Sequence, residues 1–235
     1  MPPSARRFSD LVPAMLQLHY FPGNASLIVH IVLEEIGTPF TLKHVDREQA
    51  AHKSAEYLAL NPNGLIPVLV DDGSAAADGT PLVLYETAAI CLHLADTHRA
   101  AALLPGLATG ERAHAYKWIV WCTNTLQAAI TNYFYPERWA ADAAGAAIVK
   151  ALAETKVGAM LEQIDAELAR HGGPWFLGDR FSILDPYAFV LCRWTRGFAR
   201  PARSLPHVKP WLDRLLARPA LQRAFGTEGL AAPWV

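Results

Sequence analysis

The dipeptide Ile66-Pro67 constrains the fold of this chain more than any other feature, because it joins a turn-forming run, 61–65, to an apolar strand-like run, 68–70. Proline has no backbone N–H to donate to a neighbouring strand, so it is confined to strand starts and edges. The pattern therefore predicts a strand headed by Pro67 that leaves the backbone of Ile66 unpaired and facing outward. A cis peptide bond before a proline at such a place usually has a function in folded proteins.

A second constrained position follows about twenty residues later in the chain. The strand-like run 82–84 leads into Tyr85-Glu86-Thr87 and then into an apolar helical stretch. Glu86 and Thr87 are therefore predicted at a helix N-terminus, where unpaired N–H groups and the helix dipole favour an anion. The sequence predicts a carboxylate-binding site there.

The composition predicts an ordered globular protein with one large or two modest domains, because 52% of its 235 residues are hydrophobic and 18% are charged. The formal net charge is −1 and the chain contains no long block of Lys or Arg. Nucleic acid and anionic membrane surfaces are therefore disfavoured as partners, and a small neutral or anionic ligand fits better. No stretch approaches the roughly 18 apolar residues that a membrane helix needs.

The cysteines Cys91, Cys122 and Cys192 are widely separated and lie in apolar, helical-looking stretches. Their spacing argues against a disulfide framework and against a zinc site, and it predicts reduced core thiols. The N-terminal run 1–7 carries two arginines, but the apolar segment after it is too short for a secretory signal. We therefore expect a cytoplasmic protein.

Residues 15–97 alternate between strand and helix signals, which is the pattern of a small α/β unit. Asp71-Asp72-Gly73 is predicted to turn the third strand towards the fourth, and 74–81 to be a flexible hairpin extension without a chemical role. Gly37 is predicted to cap the first helix. The strands are expected at 16–20, 40–45, 67–70 and 82–84, and the helices at 26–36, 54–60 and from 86 onward.

The second half of the chain reads as helical. Residues 98–109 contain Arg99, Pro105 and Gly106 and are predicted to be a linker. From residue 110 to about residue 230, strand signals disappear and Ala-rich and Leu-rich stretches with helical spacing dominate. Breaks at 136, 171–174 and 200–201 divide this region into a predicted all-α bundle.

The run Ser182-Ile183-Leu184-Asp185 is similar to a capping box, with Phe181 placed as a hydrophobic staple residue. It predicts the start of a buried helix. A substitution there should reduce stability or yield and leave the chemistry unchanged.

Four runs, in this order and spacing, resemble those of cytosolic glutathione transferases over nearly the whole chain, and the similarity is greatest to bacterial, beta-like members. The resemblance implies a thioredoxin-like α/β N-terminal domain at 15–97, an all-helical C-terminal domain at 110–230 and a homodimer. It also implies glutathione as co-substrate, with no metal required. The runs are 18–27 (LHYFPGNASL), 61–67 (NPNGLIP), 85–87 (YET) and 175–185 (WFLGDRFSILD).

The resemblance also implies a glutathione site. In the family, the residue before the cis proline offers its backbone N–H and C=O to the cysteinyl part of glutathione, and Ile66 before Pro67 matches that position. An acidic residue followed by Ser or Thr holds the γ-glutamyl end, and Glu86-Thr87 matches, with Thr where Ser is commoner. The alternatives are a proline that serves the fold alone and a Glu86-Thr87 pair that merely caps a helix.

The thiolate of glutathione is the nucleophile, and the turn before the first helix is where a group that stabilises it belongs. Beta-like members usually place a cysteine there, but this chain has Ala25, so a mixed disulfide with glutathione is unavailable at that position. Ser26 matches the hydroxyl of serine-type relatives and is the first candidate, with an ordinary N-cap as the alternative. Asn24 is a candidate amide donor, and Tyr20 is a further candidate that could equally be a core residue.

A second departure lies in a later helix, where beta-like members have a histidine near the thiol and this chain has Gln127. Asn124 lies one turn earlier, so both amides can share a face. They are expected to touch the second substrate or the sulfur, or else to be solvated. Tyr133 and Tyr135 are candidates to line an apolar pocket for the second substrate.

The leading interpretation is a glutathione transferase that ionises the thiol and adds it to a small apolar electrophile. The first alternative is disulfide reduction carried by glutathione itself. The second is a non-catalytic ligand-binding protein on the same fold, which the missing Cys and His keep open.

Overall fold

The computed structural model describes residues 15–235. The N-terminal run 1–7, from which we expect no secretory signal, lies outside the described residues. None of the helices within 15–235 is long and apolar enough to cross a membrane.

Four strands form one sheet with the order β2-β1-β3-β4. β1 is parallel to β2 and antiparallel to β3, and β3 is antiparallel to β4. The sheet and its three helices form the predicted thioredoxin-like unit. The elements are β1 (Leu16–Tyr20), α1 (Ser26–Ile36), β2 (Phe40–His44), α2 (Ala55–Leu60), β3 (Val68–Ala75), β4 (Pro81–Tyr85) and α3 (Thr87–Thr97).

The predicted turn at Asp71-Asp72-Gly73 is wrong, because β3 continues through it to Ala75. The Asp71 carboxylate accepts a hydrogen bond from the Gly73 N–H at 2.9 Å, a local bond that resembles a turn. It produces a register shift between Asp71 and Ala75 and does not reverse the chain. The reversal comes at 76–80, where the Ala76 N–H donates to the Thr80 carbonyl at 2.9 Å.

Helices make up the regular structure after residue 97, as predicted. A π-helical segment, Cys122–Gln127, lies between α4 and α5 and was not predicted. The α-helices are α4 (Gly110–Trp121), α5 (Ala128–Phe134), α6 (Ala143–His171), α7 (Leu184–Trp194), α8 (Val208–Leu216) and α9 (Pro219–Thr227). The predicted fold class, an α/β thioredoxin-like domain followed by an all-α domain, is confirmed.

Helix α1 is the central element of the molecule. The first eight residues of α1, 26–33, are all buried, because α1 packs on the sheet on one side and on α7 and α9 on the other. A helix that is apolar on all sides is one that is covered on all sides. The helix ends as predicted at Gly37, which has φ +72° and donates its N–H to the Leu33 carbonyl. One continuous core therefore joins the two domains.

The start of α7 is built around Asp185, a fully buried carboxylate. It accepts hydrogen bonds from the Phe176 N–H at 2.8 Å, the Ser182 N–H at 2.8 Å and the Trp211 Nε1–H at 3.0 Å. Burial raises the pKa of Asp185 to about 6, against the opposing effect of these donors. The capping prediction is thus confirmed for the bond from the Ser182 N–H to the Asp185 carboxylate. The bond from Trp211 to the same carboxylate joins α7 to α8.

The three cysteines are free and buried, as predicted. Their exposed fractions are 0%, 0% and 2% for Cys91, Cys122 and Cys192. Burial raises the pKa of all three thiols, that of Cys192 to about 12.

Candidate functional site

The sheet register brings the predicted binding residues to one edge. Val68 lies opposite His19 of β1 and opposite Tyr85 of β4. Tyr20 at the end of β1, the Ile66-Pro67 dipeptide before β3 and Glu86 after β4 therefore lie at the same end of the sheet. The turn between β1 and α1 leaves from this edge as well.

The Ile66–Pro67 peptide bond is cis, as predicted. Within residues 15–235, neither the N–H nor the carbonyl of Ile66 has a hydrogen-bond partner. The carbonyl of the preceding Leu65 is held by the Tyr57 hydroxyl at 2.9 Å and the Asn61 Nδ2–H at 2.8 Å. The backbone of Ile66 is thus fixed in place with its polar groups available to a ligand.

The turn before Ile66 accepts only glycine at one position. Gly64 has φ +59°, and a Cβ there would lie 2.8 Å from the His52 carbonyl oxygen. The Lys53 ammonium contacts the same turn through the Asn63 carbonyl at 3.4 Å. Burial and the charges of Arg47 and Lys53 lower the pKa of His52, which is a sign of positive potential on this side of the site.

Glu86 has a strained backbone, with φ +71° and ψ +107° at the N-cap position of α3. A residue other than glycine in such a region costs about 1–3 kcal/mol, and such residues concentrate at functional sites. The Glu86 side chain is exposed and does not cap the helix, whereas Thr87 is buried. The helix-cap alternative therefore does not explain Glu86.

A cavity of about 410 Å³ brings residues from both domains together. It joins Glu86 and Thr87 of the predicted glutathione site to Asn124 and Gln127 of the helical domain. Its lining is Glu86, Thr87, Thr123, Asn124, Gln127, Ala128, Thr131 and Tyr187.

The π-helical segment contributes three polar side chains to the lining of this cavity, Thr123, Asn124 and Gln127, and Tyr187 of α7 holds two of them. The Tyr187 hydroxyl donates to Gln127 Oε1 at 2.9 Å and accepts from the Thr123 hydroxyl at 2.8 Å. The Gln127 Nε2 has no partner among residues 15–235 and can donate to a ligand. π-helical turns occur frequently at functional sites. Sequence reasoning missed Tyr187 and Thr123, because a buried tyrosine in an apolar helix has the pattern of a core residue.

Ser26 does not face the site in the way the serine-type assignment requires. Its side chain is fully buried, and its hydroxyl donates to the Phe21 carbonyl at 3.1 Å and accepts from the Phe21 N–H at 3.2 Å. This hydroxyl closes the turn before α1. Asn24 is half-buried in that turn, and its Oδ1 accepts from the Ala25 N–H. Its Nδ2 has no partner among the described residues.

Tyr20 is not among the residues that line the 410 Å³ cavity. Its ring packs edge-on against His30 of α1 at 6.4 Å and His44 of β2 at 5.6 Å between centroids. These contacts favour the alternative interpretation of Tyr20 as a core residue.

The two candidate pocket tyrosines occupy different places. The Tyr135 hydroxyl accepts from an Arg47 guanidinium N–H at 3.2 Å, and that guanidinium lies 5.7 Å from the Phe21 ring centroid. Tyr135 therefore lies beside the turn before α1 and bridges the domains. Tyr133 packs on Phe198 at 4.1 Å between centroids, inside the helical domain.

A larger cavity, of about 770 Å³, lies beside the predicted linker at the start of α4 and the end of α6. Its lining contains none of the predicted site residues. Its charged residues have both signs, with Arg170 and Arg180 opposed by Glu111 and Asp179.

The chain is similar to proteins of one family in both of its halves. A glutathione S-transferase N-terminal domain model matches residues 24–97, and a glutathione S-transferase C-terminal domain model matches 121–219. The glutathione S-transferase GstA of Escherichia coli O157:H7 is 32% identical over 92% of this chain and 100% of its own length.

The disulfide-bond oxidoreductase YfcG of Escherichia coli K12 is 29% identical over 89% of this chain and 94% of its own length. A solved structure of a glutathione transferase homologue from Sulfitobacter, with bound glutathione, matches with a TM-score of 0.79 and 28% identity. The match covers 92% of this chain and 99% of that one.

Proposed function

This chain belongs to the glutathione S-transferase family, and we propose that it binds glutathione at the sheet edge, ionises the thiol and adds it to a small apolar electrophile. The observation that carries the proposal is the register that puts the unpaired Ile66 backbone next to Glu86 and Thr87. All three groups lie at the edge from which the turn before α1 departs.

Each group has a role that its chemistry suits. The Ile66 N–H and C=O can pair with the cysteinyl part of glutathione as one strand pairs with another. The Thr87 N–H and hydroxyl, at the N-terminus of α3, suit the γ-glutamyl carboxylate. The Glu86 carboxylate suits the ammonium. Lys53, on the side of positive potential, suits the remaining carboxylate of the peptide.

The thiolate must be stabilised by about 2.7 kcal/mol for its pKa to fall by two units. We assign this to the amide Nδ2 of Asn24 and to the N-terminus of α1. A hydrogen bond to a charged group contributes about 1.5–3 kcal/mol and a helix N-terminus about 0.3–1 kcal/mol. Ser26 then has a supporting role, because its hydroxyl already holds Phe21.

The test is the pH titration of enzyme-bound glutathione, followed by the ultraviolet absorbance of the thiolate. In the wild type we expect a thiol pKa about two units below that of free glutathione. Asn24→Ala should raise it by at least about one unit, because one charged hydrogen bond is lost. Tyr20→Phe is the matched control and should leave it unchanged.

Ser26→Ala discriminates between the two assignments. If its hydroxyl only closes the turn, this variant lowers the unfolding midpoint and retains the thiol pKa. If Ser26→Ala alone restores the pKa of the free thiol, the serine-type assignment replaces that of Asn24. Bound glutathione that titrates like free thiol in the wild type contradicts the proposed ionisation.

For the second substrate, we propose the space between the turn before α1 and α5. Tyr135, which lies beside that turn, and the amides of Gln127 and Asn124, which line the 410 Å³ cavity, are the residues proposed to contact it. Tyr133 takes no part in this assignment, because its ring is covered by Phe198. Tyr135→Ala should therefore raise the KM for an aryl electrophile, while Tyr133→Phe should not.

Disulfide reduction is a second candidate, favoured by the similarity to the YfcG oxidoreductase. With Ala25 in the turn and every cysteine buried, two glutathione molecules must act as the reductant. The first attacks the substrate disulfide and releases one substrate thiol, and the second attacks the mixed disulfide, releasing the other substrate thiol and forming glutathione disulfide. Turnover of hydroxyethyl disulfide that exceeds turnover of aryl halides would support this reaction.

For the location of the protein we propose the cytoplasm, because its three unpaired thiols are typical of a reducing compartment.

We further propose a homodimer. Two helices present exposed apolar pairs four residues apart: Tyr116 and Val120 on α4, and Ile148 and Leu152 on α6. Such pairs lie on one helix face and are typical of a covered surface. Sedimentation velocity tests this, and Val120→Asp should shift the protein to a monomer if α4 lies in the interface.

A further inference from the structure

Gly23, in the turn before α1, has both of its backbone polar groups bound by side chains of the helical domain. Its N–H donates to Glu228 Oε2 at 2.8 Å, and its carbonyl accepts from the Trp194 Nε1–H at 3.0 Å. Trp194 ends α7 and Glu228 follows α9, 171 and 205 residues away in the sequence. Within residues 15–235, no residue of the N-terminal domain bonds to either of these two groups of Gly23.

Glu228 is not a surface residue that happens to reach the turn. Its side chain is 0% exposed, and its other oxygen pairs with the Nδ1 of His30, itself 1% exposed, at 2.8 Å. Glu34 Oε1 lies 3.9 Å from the other nitrogen of the His30 ring. A carboxylate is costly to bury unless it is paired and hydrogen-bonded. Here both of its oxygens are used, one of them on the Gly23 N–H.

The position that these bonds hold is next to the proposed thiolate donor. Gly23 has φ +69°, and a Cβ there would contact Leu230 at 3.5 Å, so the helical domain also packs over it. The following residue, Asn24, donates its N–H to the Phe21 carbonyl at 3.1 Å and accepts at its own carbonyl from the Leu27 N–H of α1 at 3.0 Å. Among residues 15–235, it has no hydrogen bond to the helical domain. A site that stabilises an ion needs its donors within about 0.5 Å of the productive place. The orientation of the Asn24 amide therefore depends on how Gly23 is held.

We propose that Glu228 and Trp194 are positioning residues that orient the turn before α1 for thiol ionisation, so that the C-terminal domain sets the reactivity of glutathione bound to the N-terminal domain. This rests on the proposed function. It assigns to the C-terminal segment a role beyond building the second-substrate pocket. It also makes thiol activation a property of the docked domains and not of the thioredoxin-like unit alone.

The experiment compares Glu228→Ala and Trp194→Phe with a matched control. Glu35→Ala breaks another ion pair between α1 and the helical domain, the one with Arg218, without touching Gly23. Glu228→Gln retains an oxygen that can accept from the Gly23 N–H. Two measurements are made on each full-length variant: the thiol pKa of bound glutathione, and amide hydrogen exchange of the peptide that covers residues 20–27 without glutathione.

We expect faster exchange of this peptide and a thiol pKa about one unit higher in Glu228→Ala and Trp194→Phe, with about tenfold lower kcat/KM at a pH below both pKa values. Glu35→Ala should change neither, and Glu228→Gln should restore most of both.

A purely structural role predicts a different pattern. The variants at Glu228 and Trp194 would then lower the unfolding midpoint, as Glu35→Ala does, and would leave the thiol pKa and the hydrogen exchange of residues 20–27 unchanged. This result overturns the proposal. A Glu228→Gln variant that does not restore the protection of residues 20–27 from exchange overturns it as well. An unshifted thiol pKa in the wild type contradicts the proposed function instead, and the exchange measurement still tests how Gly23 is held.

Discussion

Replacing Glu86 by glycine and by alanine separates the two consequences of its strained backbone. Glu86 is held at φ +71° and ψ +107°, where a side chain costs about 1–3 kcal/mol. Glycine relieves this cost, but it adds about 0.5–1 kcal/mol of conformational entropy to the unfolded chain. Glu86→Gly should therefore be about 1 kcal/mol more stable than Glu86→Ala, which retains the strain.

The unfolding temperature should differ accordingly, by about 2–4 °C for a chain of this size. Urea unfolding should show the same order, with a higher midpoint for the glycine variant and an unchanged slope. Glutathione binding should weaken in both variants, because both lose the carboxylate proposed to pair with the ammonium. Since this side chain is exposed, we expect a loss at the low end, about 1 kcal/mol or fivefold in Kd, by calorimetry.

Two results would refute the reasoning separately. Equal unfolding midpoints for the glycine and alanine variants would show that the backbone at Glu86 stores no strain. Wild-type affinity for glutathione in both variants would show that the Glu86 carboxylate does not contact the ligand.

Three further substitutions test other parts of the structure. Tyr187→Phe removes the hydroxyl that donates to Gln127 Oε1. The KM for the ligand that Gln127 contacts should rise about 5–10-fold, and the thiol pKa should not change. An unaffected KM would exclude Gln127 from ligand binding. Asp185→Asn places an amide donor opposite the Ser182 N–H and should destabilise the fold by about 2–4 kcal/mol in urea, while the folded fraction retains wild-type kcat. Burial raises the pKa of Glu167, but its hydrogen bonds with Arg170 and His114 and the charge of Arg170 outweigh burial and lower the pKa to about 2. The ionised Glu167 carboxylate therefore stabilises the fold above about pH 4.5, and this contribution is lost as the pH falls towards 2. Glu167→Gln should reduce the free energy of unfolding by about 1–2 kcal/mol at pH 7 and flatten the dependence of the unfolding midpoint on acid pH. An unchanged dependence would contradict this prediction.

The fold could be predicted wherever local physics determines it. Strand β1 and helix α1 have the predicted bounds, because an alternating run, a Gly-containing turn and a Gly37 C-cap all agree there. The extension of β3 could not be predicted, since Asp-Asp-Gly is a good turn sequence. Its continuation depends on pairing with β4 and on the bond from the His93 Nε2–H to the Asp71 carboxylate at 2.7 Å, which joins it to α3.

The candidate site was predictable in its backbone parts and less so in its side chains. Proline chemistry marks Ile66, and a helix start marks Glu86 and Thr87, so short motifs were sufficient. The burial of Ser26 depends on how far the turn folds back onto Phe21, which composition does not encode. The π-helical segment has no signature in residue type, and Glu228 reaches Gly23 only through the packing of α9 on α1.

The depth at which the three cysteines lie matters for the proposed reaction, in which an electrophile is held at the surface of the protein. Alkylation of a protein thiol requires a thiolate that the reagent can reach. Burial raises the pKa of Cys192 to about 12 and raises the pKa of the other two thiols as well, so all three stay protonated and out of reach at pH 7. In the proposed reaction, these cysteines therefore offer no thiolate that competes with glutathione, and the protein is protected against alkylation by its own substrate.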